Sequence, residues 1–314
     1  MKGTGHRSID AKLKALSQTT DQHSLAVALA DQSPLVVEAA AKRLTFPGAI
    51  PAILQAFWRL DDGAPESDHG CWARMALLEA LGRLAKPGDD QDDTTGVHPD
   101  DIAAVARRAI RAVQVEAVGF GMADTATGLR VAAASLLANV GPDGALVDLA
   151  WLLFDHEPNA PCSNAEGPFA KLATRVAAAK AIGSLGDPAG TAVLALKLAF
   201  PKGELPDLLV ECMDALVALR EPRTVELLQP FLLKGDAYLA AAAATDMAAV
   251  GGAAVVPLLV HALEQIGPDG QEPLLYAIAS IRAEEARQAL RSLATHPDPR
   301  IAKVAQELTG ASGR

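Results

Sequence analysis

Residues 130–155 read RVAAASLLANVGPDGALVDLAWLLFD, and residues 175–200 read RVAAAKAIGSLGDPAGTAVLALKLAF. The second stretch repeats the first. Each opens with an arginine, Arg130 or Arg175, and runs into a block of small and branched apolar residues. Each then meets a glycine stop, Gly141 or Gly186, and a short turn holding Pro142 or Pro188. A second apolar helix follows. Glycine ends a run of helix formers because it enters the left-handed region without a steric cost, and a proline just beyond cannot continue the helix. The unit is therefore a pair of short helices. Its recurrence indicates an array in which neighbours bury one another's apolar faces.

Outward from this pair the same pattern recurs. In CWARMALLEALGRLA (71–85), Arg74 falls on Arg130, Leu81 on Leu137 and Leu84 on Val140. Ser33 and Pro34 have the character of an N-cap and first helical residue, opening a helix to about Leu44. Its partner over 49–60 carries Ile50, Ile53, Leu54 and Phe57 at i, i+3, i+4 and i+7, one face of a helix. A long helix is expected over 100–115, capped by Asp100 or Asp101, and an irregular connector over 116–127. Downstream, helix pairs are expected at 205–219 with 223–233, at 237–250 with 253–266 (Gly251 and Gly252 as the stop) and at 271–281 with 284–295. A last helix follows over 299–308. The pattern predicts about seven pairs and no strand. It predicts one domain over 1–314, with an N-terminal cap at 1–32, repeats over 33–296 and a C-terminal cap and tail beyond.

Composition agrees. Half the chain is hydrophobic but only 4% is aromatic, so the apolar mass is Ala, Leu and Val, which suits close-packed helices better than strands. The net charge of −10 disfavours a phosphate backbone as partner. The acid is concentrated: 61–101 holds eleven acidic residues against Arg74, Arg83 and Lys86. Three scattered cysteines, Cys71, Cys162 and Cys212, without a CxxC, fit reduced thiols in a cytoplasmic protein. No apolar run is taken as a signal peptide or a membrane span.

The sequence RVAAAKAIGSLGDPAGTAVLALKL (175–198), with its Arg-Val start and Leu-Gly-Asp-Pro at 185–188, resembles the short bacterial HEAT repeats of phycobilisome-lyase-like proteins. The resemblance implies an all-α fold, a right-handed α-α superhelix (an α-solenoid) whose second helices line a concave side. It implies little chemistry, because such folds host scaffolds, adaptors, chromophore lyases and a few enzymes.

Two places invite a site. Aligning second helices on their last apolar pair puts Trp151 and Lys197 at one outward position, joined by Gln55, Arg107, Arg111, His261 and Arg291, a binding ladder with Trp151 as anchor. The second place is where the repeat is broken, at DHGCW (68–72) and over 114–130. There Asp68, Cys71, Trp72, Gln114, Glu116, Asp124 and Arg130 can form a pocket. The simpler expectation is that Glu116 and Asp124 cap helix ends and pair with Arg74 or Arg130. A reactive Cys71 would need His69 as base, and two residues apart on a helix point different ways.

Metal chemistry finds no support. His156-Glu157 is a single dyad in a loop, whereas HEAT-repeat diiron hydroxylases use several, and GDDQDD (88–93) lacks the glycine and closing glutamate of a calcium loop. Arg107, Arg108 and Arg111 with Trp151 and Asp148 or Asp155 imitate a glycosylase groove, but Arg107 and Arg108 must face apart. The expectation is a protein that binds another protein or peptide, the partner basic, as a monomer or weak dimer. It would use no cofactor, metal, nucleic acid or membrane. The alternative is a phycobilin-lyase-like or other protein-modifying enzyme, its groove holding a flat chromophore or a protein substrate.

Overall fold

The structure, a computed structural model, describes residues 4–85, 97–119, 121–155, 167–234 and 236–311. The acidic run at 88–93, Cys162 and the His156-Glu157 dyad lie outside them. The chain divides into two compact units, Met1–Leu185 and Gly186–Arg314.

The first unit contains α1 (Thr4–Gln18), α2 (Gln22–Ala28), α3 (Pro34–Ala41), α4 (Ile50–Asp62), α5 (Trp72–Leu84) and α6 (Pro99–Ile110). A hairpin of β1 (Val115–Val118) and β2 (Gly121–Asp124) follows, then α7 (Thr127–Val140), α8 (Ala145–Phe154) and α9 (Gly167–Leu185). Here α3, α5, α7 and α9 stack in succession, as do α4, α6 and α8. The second unit runs α10 (Gly190–Ala199), α11 (Pro206–Ala218), α12 (Thr224–Lys234), α13 (Ala237–Gly251), α14 (Val256–Gln265), α15 (Pro268–Ser280), α16 (Glu284–Leu293) and α17 (Pro299–Ala311). Within it α11, α13, α15 and α17 stack, and α12, α14 and α16 form the second row. The fold is all-α helix pairs with one small hairpin.

One buried pattern builds the stacks. Val37, Ala40, Ala41 and Leu44 are buried in and just after α3, Arg130, Ala133, Ala134 and Leu137 in α7, and Leu209, Cys212, Met213 and Leu216 in α11. This is i, i+3, i+4, i+7 on one helical face. The middle pair is often alanine, as at Ala178–Ala179 and Ala243–Ala244, where small side chains let successive helices approach closely. The apolar segment Ala237–Gln265, 29 residues, is broken at Gly252, whose φ of +53° only glycine adopts readily. Gly252 is thus the stop read from the sequence.

The hairpin corrects the sequence reading. The helix expected over 100–115 ends at Ile110, and the expected connector folds as β1 and β2, paired antiparallel with Val115 opposite Asp124 and Val118 opposite Gly121. Gly119 at φ +58° supplies the turn. Asp124 ties its base, its carboxylate accepting from the backbone N–H of Gln114 and Ala126, each at 3.0 Å, while Thr125 N–H donates to Gln114 C=O at 2.8 Å. The start of α6 also differs. His98 is its N-cap, in a capping box with Asp101, whose carboxylate accepts from His98 N–H.

Candidate functional site

The break at 68–72 is a geometric necessity of the turn into α5. Gly70 and Cys71 both take positive φ, +70° and +59°, so the helix begins at Trp72 rather than at Gly70. Asp68 supplies the missing cap. Its carboxylate accepts from the N–H of Ala73 and Arg74, each at 3.0 Å, and from Arg74 Nε at 3.1 Å. Arg74, with a side chain 2% exposed, also reaches Asp61 at 2.7 Å, Gln114 Oε1, and Cys71 Sγ at 3.2 Å. Gln114 returns a bond from Nε2 to Asp68 C=O at 2.9 Å. Asp61, Asp68, Cys71, Arg74 and Gln114 thus form one network, joined through the Gln114 N–H to Asp124 of a second. The second holds Arg130, whose Nη1 donates to Asp124 at 2.6 Å and to Ala112 C=O at 2.7 Å.

Glu116 links these networks to the surface. Its Oε2 accepts from Gly70 N–H at 2.8 Å and from Thr125 Oγ1, and its Oε1 lies 2.8 Å from His69 Nδ1. Burial works to raise its pKa, but the bonds from Thr125, His69, Gly70 and Gln114 outweigh that and bring it from 4.5 to about 2. An ionised carboxylate only accepts, so His69 carries its proton on Nδ1 and leaves Nε2 toward solvent. The expected pairing of Glu116 with Arg74 or Arg130 is replaced by this one. Asp124 pairs with Arg130 as expected.

Above this floor lies an open cleft of about 830 Å³. Trp72 and Met75 of α5 form one wall, and β1 with Met122 of β2 forms the other. Trp72, Val118 and Met122 are 57%, 48% and 43% exposed. Its polar members include His69, Glu116 and Thr125. Sequence reasoning found Trp72 and Glu116 but missed Met75, Val118 and Met122. The only signal for Val118 and Met122 was the interruption of the repeat around Gly119, and Met75, inside a helix that matches the repeat, had none.

The Cys71 thiol is withdrawn from solvent and held protonated. The thiol is buried at 1% exposure, and burial pushes its pKa up to about 11 despite the nearby Arg74 charge. His69, its supposed base, is held by Glu116 instead.

The residues expected on a ladder of second helices fall in both units. In the first unit, Arg111 stacks its guanidinium 4.9 Å from the centroid of Trp151, which is 41% exposed. Asp148 accepts from Arg107 Nε at 2.9 Å and from Arg111 at 3.1 Å. Arg108 turns the other way, to Asp61 at 2.7 Å. Gln55 is exposed on α4. In the second unit, exposed His261 meets Gln265 at 2.8 Å, and exposed Arg291 pairs with Glu284 at 3.2 Å.

Lys197 is a correction. It is 2% exposed and pairs with Glu204 at 2.5 Å, so it stands on no outer ladder. In the doubled sequence, Lys197 matches buried Leu152, and exposed Leu196 matches Trp151. The expectation slipped by one residue, which on a helix turns a side chain by about 100°. The lysine tolerates burial because Glu204 balances its charge.

No protein-family model matches the chain, and no curated protein matches it either. Among solved structures, the complex of CpcE and CpcF of phycocyanin lyase from Nostoc is similar at 17% identity and a TM-score of 0.45, over 92% of this chain and 95% of that one. Human deoxyhypusine hydroxylase in complex with glycerol is similar at 15% identity and a TM-score of 0.34, over 97% of this chain and 99% of that one. At these scores neither bears on the chemistry of the cleft.

Proposed function

We propose that the chain is a protein- or peptide-binding module, and that its binding surface is the cleft between α5 and the hairpin in the first unit. One observation carries this reading: Trp72, Val118 and Met122 stand exposed around a concavity whose floor is held by Glu116 and His69. Large apolar side chains around a pocket, with a few fixed polar groups, are the composition of a recognition site. The floor is bonded within the protein itself, to Gly70, His69 and Thr125, so a ligand meets a preformed surface and little ordering entropy is lost. The net charge of −10 would steer a basic partner toward the chain. The acidic composition and the three scattered cysteines without a CxxC support a cytoplasmic setting.

A protein-modifying enzyme is the second reading, and the His69–Glu116 pair favours it. A carboxylate that fixes the proton on Nδ1 leaves Nε2 as a base for a bound substrate. The two readings separate at His69→Ala. A binding module keeps its partner, whereas an enzyme keeps the partner and loses turnover.

The test is capture of partners from the native host by wild type, Met122→Glu and Trp151→Ala. Loss of a stoichiometric partner with Met122→Glu alone supports the cleft. Retention of the same set by all three excludes it.

A further inference from the structure

Among the described residues β1 pairs only with β2, so its outer edge is open, and the cleft runs along it. Val115, Glu116, Ala117 and Val118 all line the cleft, so residues from both faces of the strand reach it, whereas β2 contributes Met122. A strand seen edge-on presents successive residues this way.

The ladder fixes which backbone groups point into that space. Thr125 N–H bonds Gln114 C=O, so Gln114 and Thr125 form a hydrogen-bonded pair. Bonded and non-bonded pairs alternate in an antiparallel ladder. With the observed register, Glu116 opposite Ala123 and Val118 opposite Gly121 are bonded, and Val115 opposite Asp124 and Ala117 opposite Met122 are not. The N–H and C=O of Val115 and Ala117 therefore face away from β2. Among the described residues, no backbone hydrogen bond reaches them across that edge. Ala117 is also exposed.

We propose that an extended segment of a partner protein adds to this edge as a third strand, pairing with Val115 and Ala117. The inference rests on the cleft being the binding surface. Its occupant has a definite chemistry. The two outward residues offer backbone donors and acceptors at the spacing of a strand, which an extended chain matches and a helix, whose backbone groups are bonded internally, does not. The apolar wall of Trp72, Met75 and Met122 takes side chains at alternate positions of that strand. The Glu116 carboxylate, though bonded inward, keeps its charge beside the edge and disfavours acidic residues in the segment. Unpaired edges are usually blunted by charge, proline or a covering loop. Here Glu116 turns its carboxylate inward to Gly70 and His69 instead of guarding the edge.

A random-peptide display library, panned on the full chain and counter-selected on Met122→Glu, supplies the probe. Selected peptides are made synthetically, with and without N-methyl groups at alternate residues. Ala117→Pro removes one outward N–H and breaks no ladder bond, so the hairpin tolerates it. The expected result is a peptide apolar at alternate positions whose affinity falls about ten-fold on N-methylation in one alternation and on Ala117→Pro. In wild type, hydrogen exchange at the Val115 and Ala117 amides should slow when the peptide binds, a readout independent of whether Ala117→Pro folds. A cleft-dependent peptide that leaves those amides unprotected and ignores N-methylation overturns strand addition while leaving the cleft as a binding surface. A library that yields no cleft-dependent peptide overturns both.

Discussion

The carboxylate of Glu116 accepts the backbone N–H of Gly70 at 2.8 Å, which fastens β1 to the turn that opens α5. The two walls of the cleft are thus joined through one side chain. Glu116→Ala removes the acceptor for Gly70 and His69 and leaves Gly70 N–H without its partner. The expected outcome is a loss of about 1–3 kcal/mol in chemical denaturation and faster amide exchange over 69–71 and 115–118. The charge also sets a pH window. The folded pKa, about 2, lies below the ordinary 4.5, so this stabilisation is complete above about pH 4.5 and is lost as pH falls toward 2. Glu116→Gln should flatten the wild-type fall in stability across that interval.

Asp68 and Arg74 should be the most sensitive pair in the first unit. Their side chains are 1% and 2% exposed, and Asp68 also caps α5. Asp68→Ala leaves a buried guanidinium with one fewer partner and two helix N–H groups uncapped. The expected cost is about 3–5 kcal/mol in urea melts. A cost near zero would mean that water replaces the carboxylate.

Gly70→Ala tests the turn itself. A Cβ there would sit 2.4 Å from Trp72 Nε1, at φ +70°. The backbone cost alone is about 1–2 kcal/mol, and the indole must rotate out of its place in the cleft wall. The variant should lose stability and shift its tryptophan emission, and it should bind cleft ligands more weakly.

Cys71 should resist alkylation. With a pKa near 11 almost no thiolate exists at neutral pH, and the sulfur is buried. Mass-spectrometric mapping after iodoacetamide treatment should find Cys71 labelled only in denatured protein. Rapid labelling in native protein would restore the thiol as a candidate nucleophile.

In the second unit, Asp246 should make stability fall with pH. Burial first, then the charge of Asp214 and a hydrogen bond with it, raise its pKa from 3.8 to about 7. A raised carboxylate pKa stabilises the fold at low pH, and that stabilisation is lost as pH climbs from about 3.8 through 7. Asp246→Asn should remove this slope, gaining about 1.4 kcal/mol above pH 7 for each pKa unit relieved. Equal stability differences at pH 4 and pH 8 would contradict the assignment.

The helix pairs were legible because their buried residues repeat: Arg74 and Arg130 start matching helices, and Leu81 and Leu137 close them. The site was legible only as a break in that rhythm. The segments 68–72 and 114–130 do meet, but two four-residue strands holding Glu116, Gly121 and two alanines give no alternation strong enough to read as a hairpin. Lys197 was misplaced for a related reason. The helices α8 and α10 are apolar almost all round, so periodicity sets their phase weakly, and the partner that permits burial, Glu204, lies in the following loop. Met122 and Val118 had no repeat to betray them.

The proposed partner binds the cleft and not the Arg111–Trp151 surface. The most direct measurement is the affinity of a cleft-selected peptide for wild type, Met122→Glu and Trp151→Ala, read by titration calorimetry with folding checked by circular dichroism. Met122→Glu should weaken binding at least about ten-fold, and Trp151→Ala should leave it unchanged. Unchanged binding by folded Met122→Glu, with loss in Trp151→Ala, would contradict it.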